Sequence, residues 1–121
     1  MTDYAANRAA WVAALRSGNY QQGREYLRLG DTFCCLGVGC AVMGMEPVHD
    51  TFDDTYGYDD EFSVAPKSFR DWVGLRTAAG EYTAQNGDSG SLTEDNDHHD
   101  LTFAQIADLI EAEPEGLFIN D

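Results

Sequence analysis

Three cysteines, Cys34, Cys35 and Cys40, stand within seven positions of this 121-residue sequence, and a thiol can act as nucleophile, metal ligand or half of a disulfide. Spacing decides between these uses. Zinc ligands come as cysteine pairs separated by about two to four residues, completed by a second pair or by histidines. Here the cysteines are adjacent or five and six positions apart, and His49, His98 and His99 lie elsewhere, so no metal site is expected. An odd, crowded set is a poor disulfide framework and fits a reducing compartment. Gly37-Val38-Gly39-Cys40 has the outline of a nucleophile turn, but Leu36, Val38, Ala41 and Val42 surround Cys40 with apolar side chains that disfavour its thiolate, and no histidine is tied to it. Those glycines also lack the third glycine and the acidic partner of a dinucleotide fingerprint. The expectation is three small apolar core residues, no catalytic residue and no cofactor.

Carboxylates are the second abundant reactive group: 22 acids face seven bases, for a formal net charge of −15. Residues 1–45 hold four arginines against Asp3, Glu25 and Asp31, whereas everything from Glu46 onward holds only Lys67, Arg70 and Arg76. The densest run is Asp50, Asp53, Asp54, Asp59, Asp60 and Glu61, interleaved with Phe52, Tyr56 and Tyr58. A helix-loop-helix calcium site fails there, because counting from Gly57 puts Phe52 at the first ligand position and Ser63 at the last. The same test fails around Glu94, Asp95, Asp97 and Asp100. So many carboxylates also prevent any two from being singled out as acid and base.

Such a surface repels phosphates instead of releasing their counterions, which argues against direct nucleic-acid binding. The inverse use suits it: rows of carboxylates can occupy a partner's phosphate-binding groove, with aromatic rings as anchors. On that reading Asp53, Asp54, Tyr56, Tyr58, Asp59, Asp60 and Glu61 bind a protein with a basic surface. Two readings stand beside it. Arg24 and Arg28, near Gly37, are the cations placed to hold an anionic small molecule such as a nucleotide signal. Acidity alone, with one lysine and more Asp than Glu, also suits a salt-loving host or plain solubility.

The elements that must position these groups predict an α+β fold, a single compact domain over residues 1–121 with about four short helices and one or two β-hairpins. Tyr4, Trp11, Val12 and Leu15 recur at helical spacing, with Thr2 as cap and Gly18 as terminator. Gly30-Asp31 between Leu27-Leu29 and Thr32-Phe33 marks a hairpin. Leu36, Cys40 and Met43 mark a short buried helix whose Gly37 and Gly39 require a close neighbour, since glycine there costs about 1 kcal/mol against alanine. Residues 46–62 read as an acidic loop. Pro66 opens a helix carrying Phe69, Trp72 and Val73, and Asn86-Gly87 signals a second, two-residue hairpin turn. Thr102 and Gln105 form a capping box ahead of Phe103, Ile106, Ala107 and Ile110, and Leu117-Phe118-Ile119 covers the core or pairs as an edge strand. No run of about 18 apolar residues and no basic-then-apolar leader occurs, so the expected location is the cytoplasm, away from membranes.

The run Ala14-Leu15-Arg16-Ser17-Gly18, then Tyr20, Gln22-Gly23, Leu27, Gly30-Asp31, Phe33-Cys34-Cys35-Leu36-Gly37-Val38 and Cys40, resembles a family of small, largely uncharacterised proteins of phages and prophages. The helix Leu101 to Glu111 is similar too, and the likeness covers roughly two thirds of the chain. Departures are Asp95, where an apolar residue would precede the Asn-Asp pair, and His98-His99-Asp100, where a glycine would follow it. The resemblance implies a viral accessory product. Joined to the charge pattern, it predicts a non-enzymatic, anti-defence type protein that binds and blocks a basic, nucleic-acid-handling host protein.

Overall fold

In a computed structural model of the chain, which describes residues 2–119, the first helix, α1, spans Tyr4–Arg16. Asp3, not Thr2, caps it: its carboxylate accepts the Ala6 N–H at 3.0 Å, the reach a cap needs to satisfy a free first-turn amide. Trp11, Val12 and Leu15 are buried on its inner face. The Trp11 indole N–H donates to the Cys35 carbonyl at 2.9 Å, and its ring meets Phe69 edge-on at 4.9 Å. An indole nitrogen left unpaired at that depth would cost about 1–3 kcal/mol.

Seven short strands follow: β1 (Gln21–Gln22), β2 (Arg28–Leu29), β3 (Thr32–Phe33), β4 (Val48–Asp50), β5 (Thr55–Gly57), β6 (Glu81–Thr83) and β7 (Ser89–Ser91). The first five form one sheet in the order β1-β3-β2-β5-β4, and β6-β7 form a separate hairpin. The turn predicted at Gly30-Asp31 joins β2 to β3 with Leu29 opposite Thr32. Residues 46–62 are not the loop predicted from their acids. They supply β4 and β5, because Thr55-Tyr56-Gly57 alternates faces as a strand does, while the acids other than Asp50 collect outside the strands. The β6-β7 connection is also longer than predicted: Ala84 N–H donates to the Asp88 carbonyl at 2.8 Å and Gly87 takes a left-handed φ of +89°, leaving three residues in the loop.

The buried helix is α2, Cys35–Met43, and Cys34 caps it by accepting the Gly37 N–H on Sγ at 3.4 Å. The neighbours that its glycines require are present. A Cβ on Gly37 would lie 1.8 Å from the Leu27 carbonyl oxygen, and one on Gly39 would lie 2.3 Å from the Phe69 ring. Helix α3 (Lys67–Val73) starts after Pro66 and ends at Gly74; α5 (Phe103–Ala112) carries the predicted capping box and buries Phe103, Ile106, Ala107 and Ile110. Helix α4 (Leu92–Asp97) was not foreseen; Ser91 caps it by accepting the Glu94 N–H at 3.2 Å. Leu117 and Phe118 are buried, and Ile119 N–H donates to the Gly74 carbonyl at 2.9 Å, so the tail closes the core. The fold is therefore α+β, a single compact domain. Among the described residues no helix is long and apolar enough to cross a membrane.

Candidate functional site

The β4-β5 hairpin carries the predicted acidic residues, and one cross-strand row holds it rigid. His49 lies opposite Tyr56, Tyr56 opposite Arg28, and Arg28 opposite Phe33, so these four side chains share one face of the sheet. The His49 ring stacks on Tyr56 at 4.3 Å with 13° between planes; the Arg28 guanidinium sits 4.1 Å from the Tyr56 ring and 5.2 Å from Phe33; Tyr20 closes the row edge-on to Phe33 at 5.3 Å. Arg28 Nε also donates to the Gly30 carbonyl at 2.8 Å. Each cation–aromatic contact contributes about 0.5–1 kcal/mol where water still reaches it.

At the tip, Asp50 accepts the Phe52 N–H at 3.0 Å, and Asp53 accepts the Thr55 hydroxyl at 3.3 Å. Asp54 takes a left-handed φ of +56°, faces His49 Nε2 at 2.8 Å and accepts the Gly30 N–H on its carbonyl. This arrangement projects Phe52 into solvent, 95% exposed. The second acidic turn, Tyr58–Glu61, is closed by reciprocal backbone bonds of 2.8 and 3.0 Å, with Asp59 and Asp60 at φ +50° and +69°. Two consecutive left-handed residues define the mirror-image turn that suits a twisted hairpin. Ser68 donates to Asp59 at 2.6 Å and ties this turn to α3.

Elsewhere the fold pairs some of its acids with lysine or arginine. Arg8 pairs with Glu113 at 3.2 Å, Arg16 with Asp108 at 2.6 Å and Glu111 at 2.9 Å, Arg24 with Asp100, and Lys67 with Asp71. The Arg16 hydrogen bond holds the Glu111 carboxyl below the usual glutamate range. Charge segregation along the chain is thus partly undone in space, since Arg8, Arg16 and Arg24 sit on acids of the last third. The hairpin acids stay outside these pairs, as do Asp3, Glu25, Glu81, Asp88, Glu94, Asp97 and Glu115. Among the described residues, none of Glu46, Asp50, Asp53, Asp54, Asp59, Asp60 and Glu61 is ion-paired with lysine or arginine, and only Asp54 meets a histidine.

A family model described as Domain of unknown function (DUF8296) matches residues 5–114. The chain belongs to this family. No curated protein and no solved structure matches it. The matched span runs from α1 through α5, so the acidic hairpin and the helices that carry it are all part of the DUF8296 domain.

Of the predicted partner-binding residues, this DUF8296 domain exposes Asp53, Asp54, Asp59 and Asp60 and half-buries Tyr56 and Glu61. Tyr58 is a correction: it is 1% exposed and belongs to the core beside Arg28 and Cys40, so it cannot anchor a partner. Phe52 is instead the exposed ring of the hairpin, and sequence reasoning passed over it because an apolar ring is expected inside. Arg24 and Arg28, the alternative anion-binding pair, are each engaged within the fold: Arg24 by Asp100 and the Asp97 carbonyl, Arg28 by the aromatic row, the Gly30 carbonyl and, at 3.8 Å, Asp31. All three cysteines are buried as free thiols. Burial pushes Cys34 up to about 12 and raises Cys35 and Cys40 as well, so none supplies a thiolate near neutral pH.

The DUF8296 domain also contains a buried polar pair that the sequence did not reveal. Asp95, 4% exposed, accepts the Tyr82 hydroxyl at 2.5 Å and faces His99 Nδ1 at 2.9 Å. Burial, then the bond to Asp95, raises the Tyr82 hydroxyl above its ordinary range. Asn96 accepts from Gln22 at 2.9 Å and donates to the Gly23 carbonyl at 2.9 Å. An orienting carboxylate behind an imidazole is half of a general-base arrangement, yet here the same carboxylate is also taken by the Tyr82 hydroxyl. The network instead clamps α4 onto β1. It also accounts for both departures noted in the sequence, because the acid at position 95 is satisfied by the histidine at 99.

Proposed function

We propose that this domain is a non-enzymatic viral accessory protein of the anti-defence type, which binds and blocks a basic, nucleic-acid-handling host protein in the host cytoplasm. One observation supports the reading above all: a phenylalanine that is 95% exposed at a turn with Asp50, Asp53 and Asp54, on a hairpin whose seven carboxylates, Glu46, Asp59, Asp60 and Glu61 included, have no lysine or arginine partner among the described residues. Burying a Phe side chain is favourable by about 1.5–3 kcal/mol, so a ring held in water by a rigid hairpin gains most from a partner's pocket. Carboxylates around it speed encounter with a basic groove and reject acidic surfaces.

The test is capture from host lysate on immobilised protein at about 0.1 M and about 1 M salt, between which the screening length falls from roughly 10 Å to roughly 3 Å. The wild type is expected to retain a basic protein at low salt only. Two variants, Phe52→Ala and the fourfold Asp53→Asn, Asp54→Asn, Asp59→Asn, Asp60→Asn, are expected to lose it. Equal retention of that protein by the fourfold variant would sink the reading.

A further inference from the structure

The two edges of the five-stranded sheet differ. At one edge, β1 is covered: Gln22 donates to Asn96 and to the Leu101 carbonyl, the Gly23 carbonyl accepts from Asn96, and the Glu25 N–H donates to Asp97. At the other edge, β4 bonds β5 on one side only, and Val48, His49 and Asp50 are all exposed. An open strand edge presents unpaired N–H and C=O groups and is a template for another strand, which is why such edges usually carry lysine, proline or a covering element. Pro47 stands directly before β4, but the strand's three residues include neither lysine nor proline, and nothing among the described residues bonds its outer side. Its charge still selects what can pair: Asp50 and the neighbouring Glu46, Asp53 and Asp54 repel a second copy of a chain at −15 and attract a cationic strand.

Resting on the reading of the acidic hairpin as the partner-binding surface, we infer that β4 receives an extended basic strand as the sheet's sixth strand, with arginine beside His49. The aromatic–cation row reaches the sheet edge at His49, whose inner ring face is covered by Tyr56 and whose side chain is 40% exposed. A planar guanidinium opposite His49 continues the row Phe33, Arg28, Tyr56, His49 by one more plane, which an ammonium does less well. Val48 and Asp50 lie on the other face, so the flanking positions of the incoming strand call for an apolar residue beside Val48 and a cation beside Asp50. In antiparallel addition the recognised sequence is Lys-Arg-Val.

A fluorescein-labelled cyclic hairpin peptide displaying Lys-Arg-Val on its outer strand tests this by anisotropy at about 0.1 M salt, with hydrogen exchange read at Val48–Asp50. The peptide is expected to bind and to protect β4 amides. His49→Ala and Asp50→Asn are each expected to weaken it by about two- to fivefold. Of two peptides N-methylated on alternate amides, the one blocked on its pairing edge is expected to lose binding by more than about tenfold. Both substitutions are at exposed positions, and melting curves verify that the variants fold. Binding without β4 protection, equal binding of both methylated peptides, or no binding at all would each overturn strand addition. None of these results touches the wider reading, which the fourfold hairpin variant decides by itself.

Discussion

Gly37→Ala adds one carbon at the tightest backbone crossing in the domain. The new Cβ falls 1.8 Å from the Leu27 carbonyl oxygen and 2.6 Å from its carbon, whereas real contacts essentially never lie under 3.0 Å. Leu27 cannot rotate away, because its N–H donates to Phe62 at 2.7 Å and its carbonyl accepts the Cys34 N–H at 3.2 Å. Either α2 or that segment must move by more than 1 Å, out of register with Trp11, whose indole is bonded to the Cys35 carbonyl. Overpacking of this kind costs about 1–3 kcal/mol, occasionally more, and an immovable backbone obstacle puts this case at or above the top of that range. Alanine returns about 1 kcal/mol of helix propensity, leaving a net loss of about 2–3 kcal/mol. A domain of this size is stable by roughly 6–18 kcal/mol, so the variant folds, with Tm lower by roughly 6–15 °C. Denaturant unfolding followed by tryptophan fluorescence measures the change. Gly18→Ala is the control: nothing lies within 4 Å of its new methyl, and only its left-handed φ of +79° penalises it, by about 1 kcal/mol. If Gly37→Ala were as stable as Gly18→Ala, the close crossing of α2 and Leu27 would be wrong.

Three further outcomes follow from groups already described. Cys34, Cys35 and Cys40 should resist alkylation at pH 8 and react in denaturant. Because the unfolded Cys34 thiol ionises near 9 while the folded one holds its proton to about 12, stability should fall as pH rises through that window, and Cys34→Ala should flatten the slope read from urea midpoints. Asp60→Gly should stabilise the domain by up to about 1 kcal/mol, since glycine accepts φ +69° without the steric cost of an aspartate; a lower urea midpoint would contradict the mirror-image turn.

The long elements were legible because their signals are local. Trp11, Val12 and Leu15 recur at the helical period, Thr102 and Gln105 cap α5, and Gly30-Asp31 turns β2 into β3. Helix α4 was not legible: Leu92 is the one apolar residue in its six, and what holds it is the hydrogen bonding of Asp95 and Asn96, residues that in sequence resemble a loop. Strands β4 and β5 have three residues each, too few for a period to show, and the acids flanking them outweighed Thr55-Tyr56-Gly57. At the candidate site the positions of the carboxylates were legible. The burial of Tyr58, the exposure of Phe52 and the pairing of Arg16 with Glu111 were not, since each depends on partners brought together only by the fold.

Arg8 joins the two ends of the chain: its Nε donates to the Val73 carbonyl, its guanidinium lies 3.9 Å over Phe118, and its Nη1 meets Glu113. During synthesis the contacts with Glu113 and Phe118 cannot form until that stretch has left the ribosome, so the Arg8 end of α1 waits, incompletely packed, while roughly a hundred residues are added. Every nascent copy passes through a sticky interval, brief in time but unavoidable in order. A bulky fusion placed directly behind Phe118 would prolong it, and expression yield should register the delay before any change in the finished protein does.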